Sequence, residues 1–280
     1  MYFKGLIAIL ILLLASSCQI PNNFERSLTP SAPETQSIKV ASQAEVDSVK
    51  IHFGAGELTL NGGGADLLEG TATYNLPILK PKVEIRDGDV YLSQASEWQL
   101  PDQSTGPIIN QWMLNIGNQP LDLQINAGAY TGRYDFGNTR LVNLAISDGA
   151  CETLVDFSTP NSAELVNFSY KSGASNIHIS NLGNANLRKF VFESGAGNYI
   201  IDLDGAWKSN AEIEIHSGMS NITLTIPQGL NTTLMAESGL TNLIIPETWE
   251  QRGNTYSQSG AGPLVTIKVF LGVGNLQIIQ

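Results

Sequence analysis

The chain has 280 residues, of which 42% are hydrophobic, and it carries a formal net charge of -11. This length is enough to bury a substantial core, and the acidic balance argues against nucleic acid as a partner, because an acidic surface repels phosphate backbones. Glycine is abundant, with 27 residues, and charged residues are sparse, at 15%. Many segments alternate apolar and polar residues with a period of two, which predicts an all-β protein.

The N-terminus resembles a bacterial lipoprotein signal. Lys4 precedes an apolar stretch, residues 5–15, that is too short to span a bilayer well. Small residues then lead to Cys18, as in a lipoprotein cleavage box. We expect residues 1–17 to be a signal peptide and Cys18 to carry acyl chains that hold the protein to the extracytoplasmic side of a bacterial membrane. The alternative is a plain secretory signal with an incidental cysteine.

Two segments separate this signal from the repeats. Residues 18–43 are rich in Pro, Ser, Thr, Asn and Gln, which predicts a flexible tether. Residues 44–120 contain short alternating segments and the sequence RDGD at 86–89, which is typical of a hairpin. We expect residues 44–120 to form an antiparallel N-terminal cap and the first turn of a solenoid, because an uncovered sheet end invites edge pairing.

From residue 121 the chain repeats itself. KSGASNIHIS begins at Lys171, and near copies begin at Glu193, His216 and Glu237. The aligned glycines follow one another at intervals of 21 to 24 residues, and a last one comes later; they are Gly128, Gly149, Gly173, Gly195, Gly218, Gly239 and Gly272. Such a period predicts a parallel β-solenoid over residues 121–280, a single-domain and right-handed β-helix in which each repeat adds one turn.

The aligned columns predict how the turns stack. Positions five and three residues before each glycine, and six after it, are apolar and are expected to line a common interior. The glycine itself is expected to supply a corner with φ > 0. The asparagine three residues later is expected to join a buried amide ladder. The interior column after the glycine consists of Tyr134, Val155, Ile179, Ile201, Leu224, Ile245 and Ile278.

One outward column is acidic. Asp135, Asp156 and Asp202 lie seven residues after their glycines. Stacked like charges repel unless a cation or solvent separates them. We interpret the column as solubilising charge, with cation binding and glycan catalysis as the alternatives.

A second outward column carries aliphatic side chains where polar ones are expected. Leu154, Ile200 and Ile244 lie five residues after their glycines. Three such side chains on a solvent face indicate either a contact patch or a surface that a loop covers, and the covering loop is the favoured interpretation.

The sequence shows no common hydrolase or metal-binding pattern. G-x-S-x-G, S-x-x-K and H-E-x-x-H do not occur. His52, His178 and His216 do not supply the three or four converging ligands that a metal site needs. Cys151 is interpreted as a small buried residue, because Cys18 is expected to carry lipid. We therefore expect no catalytic residues, no metal and no cofactor.

Three segments resemble the bacterial toast-rack family, which is similar to the C-terminal domain of LiaF-like cell-wall-active antibiotic-response proteins. They are HFGAGELTLNGGGADLLEGTATYN from His52, KPKVEIRDGDVYLS from Lys80 and WMLNIGNQPLDLQINAGAYTGRYDF from Trp112. The resemblance covers roughly residues 46–280 and implies an extracytoplasmic β-helix. LiaF-like proteins carry membrane helices before this domain, and here a lipoprotein signal takes their place.

These features together predict a binding or scaffold module at the cell envelope. Its expected partners are the membrane, through the lipid on Cys18, and an envelope glycan or protein. An adhesin or envelope-stress signalling module is one alternative, and a polysaccharide-active enzyme is another. A groove lined by convergent acids and aromatic residues would favour the enzyme, whereas a flat polar face would favour the module.

Overall fold

The computed structural model describes residues 30–42, 46–94 and 106–280. This part of the chain is all-β, with two short 3-10 turns at Pro77–Leu79 and Leu182–Ala185. No helix within it is both long and apolar enough to cross a membrane. The strands are β1 Glu34–Val40, β2 Ser48–Gly64, β3 Leu68–Tyr74, β4 Lys82–Arg86, β5 Asp89–Ser93, β6 Asn110–Gly117, β7 Pro120–Asp135, β8 Arg140–Asp156, β9 Leu165–Ser180, β10 Leu187–Asp202, β11 Ala211–Thr225, β12 Leu230–Ile244, β13 Glu250–Arg252, β14 Thr255–Gln258 and β15 Ala261–Ile279.

The strands form one large, mostly parallel sheet. Strands β7 to β11 pair in parallel and in chain order. In β10, Phe190 and Phe192 before Gly195, and Ile201 after it, are buried as predicted. Phe190 is in register with Phe168 of β9 and Ile213 of β11, so that equivalent side chains stack from strand to strand. One continuous core results, and the predicted interior columns are confirmed except at Ile245, which is only partly buried.

Strands β9 and β10 bend sharply at their motif glycines. The rings of Phe192 and Tyr199, seven residues apart in β10, have centroids 4.9 Å apart. A straight strand would separate them by roughly 23 Å, at about 3.3 Å per residue. The hydroxyls of Ser172 and Ser175 in β9 are likewise 2.7 Å apart. The two arms of a strand therefore face each other across the core.

The prediction of φ > 0 at the motif glycines was wrong. None of them adopts a left-handed conformation; within the described repeats, the asparagines Asn138, Asn181 and Asn186 do so in the connections between strands. The motif glycines are needed for close approach instead. A Cβ added to Gly195 would lie 2.5 Å from the carbonyl oxygen of Gly173, because equivalent glycines stack directly on one another.

The predicted asparagine ladder is present, but it is exposed. The Asn198 amide donates to Oδ1 of Asn176 at 2.9 Å and accepts from Asn221 at 3.0 Å. Asn275 continues the ladder by donating to Asn221. All four side chains face solvent. The predicted hydrogen bonds between stacked asparagines are therefore confirmed, whereas the prediction that the ladder is buried was wrong.

The repeats were predicted to stack in chain order, and this prediction was wrong for the last ones. Strand β15 inserts between β11 and β12 and is parallel to both. Its side chains Val265, Ile267, Val269 and Leu271 are all buried. The more apolar strand thus occupies the position that is paired with a long strand on both edges. The outer edge of β12 is covered by the β13–β14 hairpin, since β14 pairs with it antiparallel.

The N-terminal end also differs from the prediction. Strand β1 falls within residues 18–43, so the tether prediction was wrong for residues 34–40, where Ile38 and Val40 are buried. Strand β1 pairs antiparallel with β3, and β3 pairs antiparallel with β6. Strand β2, expected in an antiparallel cap, is parallel to β5, β6 and β7. The RDGD hairpin is confirmed as β4–β5.

Candidate functional site

The acidic column caps turns. Asp135 Oδ1 accepts hydrogen bonds from the backbone N–H of Gly137 at 2.8 Å and from Ser158 Oγ at 2.7 Å. Asp202 Oδ1 accepts from the backbone N–H of Asp204 at 2.8 Å. Burial raises the pKa of the Asp202 carboxyl. These carboxylates hold the chain where it leaves a strand.

Asp156, the third member, also bonds to a neighbouring connection. Its Oδ1 accepts from Asn181 Nδ2 at 2.7 Å. Asp156 is in register with Asp135 on one side and with Ser180 on the other. Across the described residues, no group of three or more His, Cys, Asp or Glu side chains is placed to hold a metal ion.

The aliphatic column faces solvent. Leu154, Ile200 and Ile244 are 42%, 42% and 46% exposed, so no described loop covers them. His178 lies between Leu154 and Ile200 in the register. Thr223 and Gln277 lie between Ile200 and Ile244, because β15 is inserted there. The three side chains therefore do not touch as a continuous apolar patch.

A buried polar network, which the sequence analysis missed, lies between β7, β8 and β9. Asp148 is 9% exposed and accepts hydrogen bonds from the hydroxyls of Tyr130 (3.3 Å), Tyr170 (2.8 Å) and Ser172. Tyr134 donates in turn to Tyr130 at 3.0 Å. Burial raises the pKa of Tyr130, with the negative charge of Asp148 as the next cause. Three hydroxyls thus hydrogen-bond to the Asp148 carboxylate.

Cys151 lies beside this network. It is a half-buried free cysteine whose Sγ lies 4.0 Å from Ser172 Oγ. Burial raises the pKa of its thiol to about 11. The thiolate, which is the nucleophilic form, is therefore scarce at neutral pH.

An open cleft of about 560 Å³ lies at the N-terminal end, where β2 changes partners. The first arm of β2 pairs with β5 as far as His52, and its second arm pairs with β6 from Glu57 onward. The cleft opens between these two pairings, beside the corner at Gly54. Its polar lining residues are His52, Lys82, Glu84, Arg86, Ser93, Gln94 and Asn126.

The charged side chains of the cleft belong to one strand, β4. Glu84 contacts Lys82 on one side and Arg86 on the other, at 3.0 Å from Arg86 Nη2. The hydrogen bond from Lys82 lowers the pKa of Glu84. Arg86 also lies over the ring of Tyr91, 4.6 Å from the centroid. Two cations thus share one carboxylate, and the cleft carries surplus positive charge on an acidic protein.

The sequence alone does not reveal this cleft. Its residues come from β2, β4, β7 and the end of β5, which are adjacent only once the sheet has formed. The available signal was the alternation Lys82, Glu84, Arg86 in front of the RDGD turn, which places three charges on one face of an edge strand.

The fold defines a repeat protein of stacked parallel strands with separate coverings at its two ends. The chain belongs to the toast-rack family. The family model described as the N-terminal domain of toast_rack, DUF2154, matches residues 29–180 and, a second time, residues 161–225. The resemblance seen in the sequence is thereby confirmed. No curated protein matches the chain.

Several solved structures match the chain at low identity and low TM-score. A proposed cell adhesion protein from Clostridium sporogenes is 20% identical with a TM-score of 0.46, covering 89% of this chain and 100% of its own. A proposed adhesin from Bacteroides fragilis is 10% identical with a TM-score of 0.36, covering 90% and 99%. A proposed lipid binding protein from Parabacteroides distasonis is 12% identical with a TM-score of 0.36, covering 90% and 99%.

Proposed function

We propose that the protein is a lipid-anchored, extracytoplasmic binding or scaffold module of a bacterial cell envelope. One observation carries this proposal. The long strands β7 to β11 present exposed positions that are mostly polar, and an open cleft at the N-terminal end carries hydrogen-bonding side chains and surplus positive charge. Such a surface suits contact with a glycan or a protein. We further propose that the parallel strands wind as a right-handed solenoid, because parallel crossovers are almost always right-handed.

The proposed anchor is Cys18, which lies outside the described residues, as does the proposed signal peptide at residues 1–17. A fully extended chain from Cys18 to Glu34, where β1 begins, spans at most about 55 Å. The folded part would therefore stand close to the membrane surface, within reach of envelope polymers.

Membrane fractionation of Cys18→Ala tests the anchor. We expect the variant to leave the membrane fraction or to accumulate as an unprocessed precursor, and to lose labelling by a radioactive or clickable palmitate. The matched control is Cys151→Ala, which removes the other cysteine and should fractionate like the wild type. Unchanged processing and labelling of Cys18→Ala would refute the lipoprotein assignment.

An adhesin or envelope-stress signalling module is the first alternative, and it shares the binding surface described above. A polysaccharide-active enzyme is disfavoured by the cleft. Glycoside hydrolases normally use a pair of carboxylates, whereas Glu84 is the one carboxylate among the residues that line the cleft in the described structure. If the purified protein released reducing ends from envelope polysaccharide, and Glu84→Gln abolished this release, the result would support the interpretation as an enzyme.

A further inference from the structure

We infer that the cleft beside Gly54 binds a saccharide that bears a carboxylate. This inference rests on the proposed function, because it names the class of ligand that the envelope-binding surface would take. It concerns the side chains of β2, β4, β5 and β7, and it does not depend on the lipid anchor.

The cleft is held open by a fixed set of contacts. Gln94, which is 7% exposed, accepts a hydrogen bond from the backbone N–H of Gly54 at 3.0 Å. Its amide donates to Asn110 Oδ1 at 2.8 Å and to the carbonyl oxygen of Leu79 at 3.4 Å. Gln94 therefore joins β2 to the start of β6 at the point where the pairing of β2 changes. A preformed cleft spares a ligand the cost of ordering it.

The charges of the cleft favour an anion. Lys82 and Arg86 are exposed by 70% and 62%, and Glu84, between them, is 31% exposed. The Arg86 guanidinium has five N–H donors, and Glu84 engages it through Nη2. Its remaining donors, with the Lys82 ammonium, are available to a carboxylate, which matches the planar fork of arginine.

The remaining lining residues favour a sugar over a bare anion. His52, Ser93 and Asn126 supply further hydrogen-bonding groups beside the cations, at positions adjacent in the register of β5, β2 and β7. Sugar hydroxyls both donate and accept hydrogen bonds, so they can use the donors and the acceptors of these side chains. The volume of about 560 Å³ lies within the usual range for small-molecule sites and accommodates one or two sugar rings.

Calorimetric titration of the full-length protein in detergent tests the inference. The probes are α-1,4-digalacturonate and α-1,4-galactobiose, which carries hydroxymethyl groups in place of the carboxylates. We expect the acidic disaccharide to bind at least about tenfold more tightly, because hydrogen bonds to charged groups are the stronger ones. Equal affinity for the two disaccharides, or no binding of either, would overturn the inference.

Three variants locate the binding. Arg86→Ala should weaken digalacturonate binding about tenfold. The matched control is Arg188→Ala, since Arg188 is a similarly exposed, ion-paired arginine on the repeat and contacts Glu164 at 3.1 Å. Glu84→Gln should tighten binding, because it removes the carboxylate that competes for both cations. If Glu84→Gln weakens binding, or Arg188→Ala weakens it as much as Arg86→Ala, the cleft is not the site.

Two further titrations separate the possible sources of the anion. Inorganic phosphate should compete only weakly with digalacturonate, and phosphatidylglycerol vesicles should not displace it. If phosphate or the vesicles displaced digalacturonate at equal concentration of charge, the cleft would be a site for phosphate or for lipid headgroups. That result would overturn the inference of a saccharide ligand. Membrane retention through Cys18 is measured independently, so failure of the saccharide and failure of the anchored module give different results.

Discussion

The interior of the repeat and its two ends are built differently. Strands β8, β9 and β10 each lie between the strands that precede and follow them in the chain. At the N-terminal end β2 lies between β6 and β7, and at the C-terminal end β15 lies between β11 and β12. The outermost strands pair antiparallel, as β1 with β3 and β14 with β12. The interior strands are therefore all covered in the same way, whereas each end of the sheet is covered by a different set of strands.

The N-terminal end shows what this difference produces. One arm of β2 is covered by the β4–β5 hairpin and the other by β6 and β3. These are separate coverings, and the cleft lies where they meet, beside Gly54. A repeat of identical turns leaves no such gap, because every corner is covered by the corner of the next turn. The candidate binding site thus arises from an irregularity of the end.

The largest expected contrast between interior and end comes from a charge placed in the interior column. Ile201 is fully buried, so Ile201→Asp should cost at least about 3 kcal/mol. Ile245, in the equivalent position directly after the end of β12, is partly buried, and Ile245→Asp should cost clearly less. Urea unfolding measures both. Ile200→Asp, on the exposed face one residue away, is the control and should cost less than about 1 kcal/mol. Equal losses at positions 200 and 201 would contradict the assignment of faces.

The stacked glycines should show a smaller contrast. A Cβ at Gly195 or at Gly239 would lie 2.5 Å from the carbonyl oxygen of the neighbouring glycine. Gly195→Ala should cost about 1–3 kcal/mol, because β10 is held by parallel strands on both edges. Gly239→Ala should cost less, since β12 pairs with one long strand and a short hairpin and can shift. Gly106→Ala, with nothing within 4 Å, is the neutral control for thermal melts. A neutral Gly195→Ala would show that close approach is not what requires the glycine.

The polar network around Asp148 gives the interior its own alkaline sensitivity. Burial raises the pKa of Tyr130, so the folded state holds this proton above pH 10, where the unfolded chain releases it. Stability is then fully present below about pH 10 and falls as pH rises further. Tyr130→Phe should cost about 1 kcal/mol at neutral pH, through the lost hydrogen bonds, and should flatten the alkaline decline. Tyr256→Phe, in the C-terminal hairpin, is the control in urea unfolding from pH 8 to 11. An equally steep decline in Tyr130→Phe would exclude Tyr130 as its source.

The smallest effect is expected in the exposed asparagine ladder. Asn198, in the interior, makes two side-chain hydrogen bonds, to Asn176 and from Asn221. Asn275, in β15, donates one, to Asn221. Because these amides face solvent, water replaces lost partners, and Asn198→Ala should cost less than about 1 kcal/mol. Asn275→Ala should cost less still. If the melting temperature fell by several degrees in Asn275→Ala and did not change in Asn198→Ala, the expected order of the two effects would be contradicted.

The sequence predicted the interior because two periods coincide there. Alternation of two places Phe190, Phe192 and Ile201 on one face, and a spacing near 22 residues brings equivalent positions into register. The sequence could not order the last strands, because β12 and β15 carry similar motifs and both fit the edge of β11. The more apolar strand, β15, takes the position that is paired with a long strand on both edges. Such a position exists only in the assembled sheet.

The candidate sites were less predictable for the same reason. Asp148 occupies the position of Ser172 and Ser194 in its column, and this replacement was the visible signal of the buried network. Its tyrosine partners, however, come from strands on either side and appear as ordinary core residues in the sequence. Strand β1 was hidden by the polar composition around it, although Ser37–Val40 alternates as a strand should.

The position of β15 has a consequence for the order of synthesis and folding. When β12 has been made and β15 has not, the edge of β11 is open, and β12 carries the S-G-x-x-N motif that fits it. The strand made later must then displace β12 from its first partner and take its place. We expect refolding of the full chain to show a slow phase for this exchange, and a single fast phase in the wild type would contradict it. Export in an unfolded state would defer the exchange until the whole segment has crossed the membrane, so that the finished arrangement forms outside, where the protein is proposed to work.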